Sequence, residues 1–131
     1  MKLTVLGCNG PYPAPGGACS GYLLQEGDTG VLLDCGAGVL AQLEKHMPPQ
    51  NLTAIVLSHL HYDHMSDMLP LIYRCPGLPV LCSGGVASNR QLRAAMERSC
   101  GALFAKPCYS TDNAMGVAIL TRRALEGGEL A

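Results

Sequence analysis

The chain has 131 residues, 48% of them hydrophobic and 15% charged, which suits one ordinary globular domain with a packed core. Its formal net charge is −1, and it contains one Phe and no Trp. With no cluster of Lys or Arg either, the composition gives no basis for binding nucleic acid or an anionic membrane surface by charge or stacking. No apolar run approaches the roughly 18 residues that indicate a membrane-spanning helix, so we expect no membrane association.

The seven cysteines are scattered, odd in number and free of any Cys-x-x-Cys pair. Only four strand-like residues separate Met1-Lys2 from Gly7, which is not the pattern of a secretory signal peptide. We therefore expect a cytoplasmic protein whose thiols are reduced and act mainly as small buried hydrophobic groups.

The first half of the chain alternates between strand and turn signals. Residues 3–6 alternate in polarity and predict a strand, and the Pro- and Gly-rich segment 7–21 predicts a loop. Residues 22–25 and 31–34 predict a hairpin around a Gly- and Asp-containing turn. The apolar spacing over 39–47 then predicts a helix.

The second half alternates strands and helices. Residues 54–57 predict a buried strand, and apolar residues over 65–72 recur at the spacing of a helix that packs on the core. An apolar strand over 78–82 precedes a helix with its apolar face at 92–96, and a last helix is predicted over 114–125. The order of elements favours an α/β architecture.

A dense group of metal-ligating residues follows the predicted strand 54–57. His59, His61, Asp63 and His64 fall within six consecutive positions. In an extended segment His59 and His61 point to the same side, because side chains alternate along a strand. Neutral imidazole nitrogens and a carboxylate oxygen are the ligands that a zinc-type ion prefers, so the segment predicts a metal site.

This segment resembles the signature of the metallo-β-lactamase-fold hydrolases. The resemblance runs from the first residue to about Arg74 and includes the strand 2–6, the Gly-rich segment 16–22, the turn 32–36 and the histidine loop. It implies an αββα sandwich of two sheets, of which this chain has room for the first half only.

The same resemblance implies roles for individual residues. His59 and His61 would bind one metal ion, and Asp63 and His64 a second, with Asp63 as the catalytic residue that orients the attacking water. Asp34 would support the metal loop from outside the ligand set, as partners of metal ligands commonly do. The metal would be zinc, with manganese or iron as alternatives.

The family pattern is incomplete in this sequence. Its members bring a further histidine, a bridging aspartate and a last histidine from downstream, but no histidine follows His64 here. Each metal position is therefore short of ligands. Asp112, a cysteine or a second copy of the chain would have to complete the set.

Residues 77–125 resemble a different family, the TsaD family, which transfers a threonylcarbamoyl group to adenosine in tRNA and has an actin-like ATPase fold. The matching segments are 83–89, with a glycine pair and an asparagine, and 110–115, with a Thr-Asp-Asn motif. The resemblance implies that Gly84, Gly85 and Asn89 lie against ATP and that Asp112 is a metal ligand. Alternatively, the glycine pair is a plain connection and Asp112 caps a helix.

We therefore predict two segments, a metallo-β-lactamase-like segment over 1–75 and a tail over 76–131 with a strand-helix-helix order like the end of an actin-like ATPase lobe. The predicted function is hydrolysis of a small-molecule ester or a phosphodiester by a metal-activated water. The alternatives are a tRNA-modification fragment that binds ATP and tRNA, and an inactive fusion product of two genes. Exposed sheet edges would favour a homo-oligomer.

Overall fold

The computed structural model describes residues 1–85 and 89–105. They form a mixed sheet of six strands in the order β1-β2-β3-β4-β5-β6. The strands are β1 (Lys2–Gly7), β2 (Gly21–Glu26), β3 (Thr29–Leu33), β4 (Ala54–Leu57), β5 (Val80–Cys82) and β6 (Leu103–Phe104). The helices are α1 (Val39–Leu43), α2 (Tyr62–Met65), α3 (Met68–Arg74) and α4 (Arg90–Cys100), with a 3-10 turn at Pro49–Asn51.

The direction of the strands decides where the loops meet. The first three strands pair antiparallel, as the predicted hairpin requires, and β3 to β6 then pair parallel through helical connections. The carboxyl ends of β3, β4 and β5 therefore lie at one edge of the sheet, where α/β proteins commonly bind ligands.

The core lies on one face of this sheet. Leu23, Leu32, Ile55, Leu57 and Val80 point to that face from neighbouring strands and are fully or almost fully buried. Apolar residues from the helices close the core, namely Val39, Leu43, Met68, Leu71 and Met96. Burial of this face is the main stabilising contribution to the fold.

The predicted helix over 65–72 is wrong in one respect, because the structure divides it into α2 and α3. Asp67 lies between them, where its backbone N–H donates to the carbonyl of Cys35 and its carboxylate accepts from the N–H of Leu40 at 3.0 Å. These bonds tie the break to the loop after β3 and to the first turn of α1. Pro70 is tolerated because it lies in the first turn of α3.

The segment after residue 76 continues the same sheet. Strand β5 pairs parallel with β4, β6 pairs parallel with β5, and α4 connects them. The expected strand and helix are confirmed, but they extend one sheet and do not stand apart from it. The predicted last helix over 114–125 lies outside the described residues, and the domain boundary at 75/76 stays a prediction. Among the described helices, none is both long and apolar enough to cross a bilayer.

Candidate metal centre

Three loops at the carboxyl edge of the parallel strands form the candidate site. Asp34 follows β3, the histidine loop follows β4, and Ser83-Gly84 follows β5. Backbone bonds join them: Asp34 N–H donates to the carbonyl of Val56, and Ser83 N–H to that of Leu57. The parallel ladder therefore brings residues from distant parts of the sequence to one place.

Asp34 is the centre of the hydrogen bonds in this site. It is buried, with 6% of its surface exposed, and adopts a left-handed backbone conformation with a φ of 57°. Its Oδ1 accepts from the backbone N–H of Ser58 at 2.7 Å. Its Oδ2 accepts from the Ser58 hydroxyl at 2.8 Å and from His64 Nδ1 at 2.8 Å. Aspartate tolerates this conformation better than most residues, so the turn and the bonds are compatible.

Donor counting in this network determines the tautomers of two histidines. A carboxylate only accepts, so His64 Nδ1 carries a proton and Ser58 uses its single hydroxyl proton on Asp34. His59 Nδ1 lies 3.0 Å from the same hydroxyl oxygen, which therefore accepts from it. In both rings Nε2 is left with a free lone pair, which is the form that binds a metal.

The imidazole rings lie together at the mouth of the site. The ring centre of His59 lies 4.6 Å from that of His61 and 3.9 Å from that of His64. His64 Nε2 lies 3.6 Å from Asp63 Oδ2. Two ligands of one tetrahedral zinc ion are separated by about 3.4 Å, so this pair fits a shared ion.

The local environment favours the neutral form of His59. Burial, followed by the neighbouring His64 and His61, lowers the pKa of His59 below its ordinary value, and Asp34 and Asp63 partly oppose this shift. A histidine must be neutral to bind a metal. The desolvated position of His59 therefore suits a ligand.

Two glycines allow the histidine loop to pack closely on its neighbours. A Cβ added at Gly36 would lie 1.9 Å from the carbonyl oxygen of Asp63, and one at Gly84 would lie 2.6 Å from that of Ser58 and 2.7 Å from His59 Cβ. Any side chain at either position would push the loop away. The loop is thus held from both sides by backbone.

The structure brings together four of the predicted site residues, His59, His61, Asp63 and His64, and places Gly84 beside them. The nature of the donors and the free Nε2 atoms fit a zinc-type ion. However, within residues 1–85 and 89–105 no three His, Cys, Asp or Glu side chains are arranged to hold one ion. The four residues therefore offer pairs of ligands, and each pair needs further donor atoms to complete the coordination of an ion, as the sequence indicated.

The remaining predicted site residues lie elsewhere. Asn89 is the N-cap of α4, and its side-chain oxygen accepts from the N–H groups of Gln91 at 3.0 Å and Leu92 at 3.2 Å. Gly85 is exposed, and a Cβ there would meet nothing within 4 Å. Asp112 lies outside the described residues. Nucleotide binding by Gly84, Gly85 and Asn89 stays a prediction.

Sequence reasoning missed two contributors to the site. Ser58 connects Asp34 to His59, and Asp67 joins the end of the histidine loop to α1. Both are small polar residues directly beside the histidine motif, which is the only signal the sequence carries for them. Their partners are 24 and 27 positions away, so only the fold reveals the contacts.

Comparison with known protein families shows to which superfamily the chain belongs. A model of the metallo-beta-lactamase superfamily matches residues 14–115. The chain belongs to this superfamily. Because the match extends well past residue 76, the metallo-β-lactamase resemblance continues into β5, α4 and β6. The expected actin-like, TsaD-type tail finds no support in the comparisons or in the sheet.

Several known proteins are similar to this chain in sequence. It is 52% identical over 71 residues to the probable metallo-hydrolase YhfI of Bacillus subtilis, which is 54% of this chain and 29% of the relative. It is 36% identical over 69 residues to a ribonuclease Z of Mycolicibacterium paratuberculosis, covering 52% of this chain and 25% of the relative. The chain therefore spans under a third of these relatives.

Two solved structures are also similar to this chain. The crystal structure of YhfI from Bacillus subtilis superposes with a TM-score of 0.70 and 33% identity, over 80% of this chain and 45% of the other. Human tRNase Z, short form, superposes with a TM-score of 0.60 and 30% identity, over 76% of this chain and 39% of the other. The described sheet thus corresponds to part of a larger superfamily structure.

Proposed function

We propose that the chain carries part of the active site of a cytoplasmic metal-dependent hydrolase, with zinc as the metal or manganese or iron in its place. The observation that carries this proposal is the Asp34 network. It leaves the Nε2 atoms of His59 and His64 free and brings His64 within 3.6 Å of an Asp63 oxygen. His59 and His61 would hold one ion, and Asp63 and His64 a second.

When bound, the metal would lower the pKa of its water toward neutrality and polarise the bond to be cleaved. The chain's own residues supply orientation. Asp34 fixes His64 directly and His59 through the Ser58 hydroxyl. Asp63 would orient the attacking water toward the substrate. Gly36 and Gly84 hold this loop in position.

A phosphodiester is the substrate class that we favour over other esters. The similarity to proteins named ribonuclease Z and tRNase Z, each with at least 30% identity, supports it. A phosphodiester carries an anionic oxygen that bound metal ions would attract and polarise, whereas the net charge of −1 on the chain itself adds no attraction. The remaining ligands would come from a second chain or from residues beyond the described ones.

The first experiment measures zinc, manganese and iron per chain in the purified protein, beside His61→Ala and a matched control, His46→Ala. His46 is exposed in the turn that follows α1 and is not part of the histidine loop. We expect one or two ions per chain in the native protein and the control, and loss of metal in His61→Ala. Hydrolysis of a chromogenic phosphodiester would then follow the same order.

Two results would contradict the proposal. If the native protein holds no metal after incubation with zinc, it lacks the ion that the proposed hydrolysis requires. Equal metal content in His61→Ala and in His46→Ala would show that the ion is bound away from the histidine loop. If metal is bound but no phosphodiester is cleaved, the proposed metal site stands and the proposed substrate class is wrong.

A further inference from the structure

The segment that follows β1 lies directly beside the histidine loop. We call residues 8–17 the proline loop, because three of its ten residues are Pro. A Cβ added at Gly10 would lie 3.1 Å from Asp63 Oδ2, so the backbone of the proline loop contacts this predicted metal ligand. The proline loop therefore forms one wall of the candidate metal centre, and its side chains are in a position to meet a bound substrate.

Hydrogen bonds hold the proline loop on both sides of its middle. The Asn9 N–H donates to the carbonyl of Ala18 at 3.1 Å. Further along the loop, the side-chain amide of Gln42 on α1 donates to the carbonyl of Gly16 at 3.1 Å. Tyr12 lies between these two bonds, and its side chain is 74% exposed. The backbone that carries this exposed ring is thus tied to the strands and to α1.

A second exposed tyrosine lies next to the same contact. Tyr62 directly precedes Asp63 at the first position of α2 and is 70% exposed. Tyr12 is only two residues beyond Gly10, which is at most about 7 Å of backbone. Among the residues that the structure describes, one further Tyr, Phe or Trp side chain is exposed, namely Tyr73 on α3. Composition indicated no stacking platform, but the fold brings two of the three exposed rings to the metal centre.

From this arrangement we infer that Tyr12 and Tyr62 determine specificity by stacking on the base of a nucleoside attached to the scissile phosphate. The inference rests on the proposed function for the position of that phosphate at the histidine loop. Every base has a flat π-face, so aromatic side chains bind bases without reading their sequence. Tyrosine suits this role at an exposed position, because its ring is rigid and loses little conformational entropy on binding.

The charge of the two segments favours contact with a base over contact with a row of phosphates. Neither the proline loop nor residues 58–67 contain a Lys or Arg. Proteins that follow a polynucleotide backbone depend on such side chains, and their affinity falls steeply with salt. The groups that these segments offer beside the metal ligands are the two phenol rings. Recognition is therefore directed at the nucleoside next to the cleaved bond.

NMR of the full chain with isotope-labelled tyrosine rings tests the inference without turnover. The ligands are adenosine monophosphate and ribose 5-phosphate, which differ by the base, and Tyr→Phe variants assign the signals. We expect only adenosine monophosphate to shift the Tyr12 and Tyr62 signals, with zinc and, at higher ligand concentration, with a chelator. Tyr12→Ala should weaken its binding on the order of 10-fold. Tyr12→Phe keeps the ring and should weaken it less than about threefold. The matched control Tyr73→Ala, on α3, should bind like the native protein.

Hydrolysis separates this inference from the proposed function. Thymidine 4-nitrophenyl phosphate and methyl 4-nitrophenyl phosphate share a leaving group, and only the first has a base. We expect kcat/KM to be on the order of 10-fold higher for the first, and Tyr12→Ala to remove this preference without slowing the methyl ester. Equal kcat/KM for both esters in the native protein would overturn the inference and leave the proposed function standing. Tyrosine shifts without bound metal or turnover would support the base contact and contradict the proposed function. Tyrosine signals that adenosine monophosphate shifts neither with zinc nor with a chelator would overturn the inference.

Discussion

Replacing Asp34 by Asn separates its structural role from its effect on the metal ligands. Asparagine has nearly the same shape and tolerates the observed φ of 57°. Its amide oxygen can still accept from the Ser58 N–H. Its NH2 group, however, replaces the oxygen that accepts from the Ser58 hydroxyl and from His64.

The magnitude follows from the three bonds that the Asp34 side chain makes. Each passes from a charge-assisted to a neutral bond, a difference of about 1 kcal/mol, so we expect the free energy of unfolding to fall by about 3 kcal/mol. The amide N–H would face His64 Nδ1, which must then accept. The ring proton would move to Nε2 and block the metal-facing lone pair, and the loss of such a partner typically weakens metal binding about 10–100-fold.

Urea denaturation of the metal-free protein would measure the first effect, and competition for zinc with a chromophoric chelator the second. Asp28→Asn is a suitable control, because Asp28 is exposed in the hairpin turn. Zinc affinity unchanged within about threefold in Asp34→Asn would refute the tautomer argument. An unchanged urea midpoint would refute the role of Asp34 as the centre of the network.

Two further predictions concern packing and thiol chemistry. Gly36→Ala should lower the free energy of unfolding by about 3 kcal/mol, because the added Cβ would lie 1.9 Å from the Asp63 carbonyl oxygen. The control Gly85→Ala, whose Cβ would meet nothing within 4 Å, should change that free energy by less than about 0.5 kcal/mol. Equal urea midpoints for the two variants would contradict this prediction. Burial, and then the neighbouring Cys100, raises the pKa of Cys82 to about 11, so in the folded protein its thiolate forms only as the pH rises toward that value. Alkylation at pH 8 followed by peptide mass spectrometry should modify exposed Cys8 well before Cys82, and equal rates would be inconsistent with the buried thiol.

The cysteines illustrate how well simple patterns work for local environments. Six cysteines lie in the described residues, all are free, and four of them, Cys19, Cys35, Cys75 and Cys82, are buried. The burial of these four agrees with the expectation that most of the thiols are small buried groups. Composition and neighbours sufficed because burial of a small apolar group depends mostly on the strand or helix that carries it.

The strands that position the site were also predictable. The run 54–57 became β4 with the predicted bounds, and 22–25 and 31–34 pair as the predicted hairpin in β2 and β3. Alternating apolar residues and turn chemistry are local signals. The break between α2 and α3 was not predictable, because contacts of Asp67 with Cys35 and Leu40, far away in sequence, determine it.

The sequence by itself determined which residues can chelate a metal, because donor type and spacing along a strand and turn are properties of the local chain. Only the tertiary structure decided how those donors are oriented. Parallel pairing of β3 with β4 brings Asp34 to Ser58 and His64, and this sets the tautomers. It also decided that residues after 76 extend the same sheet, since strand pairing depends on partners that no local pattern can specify.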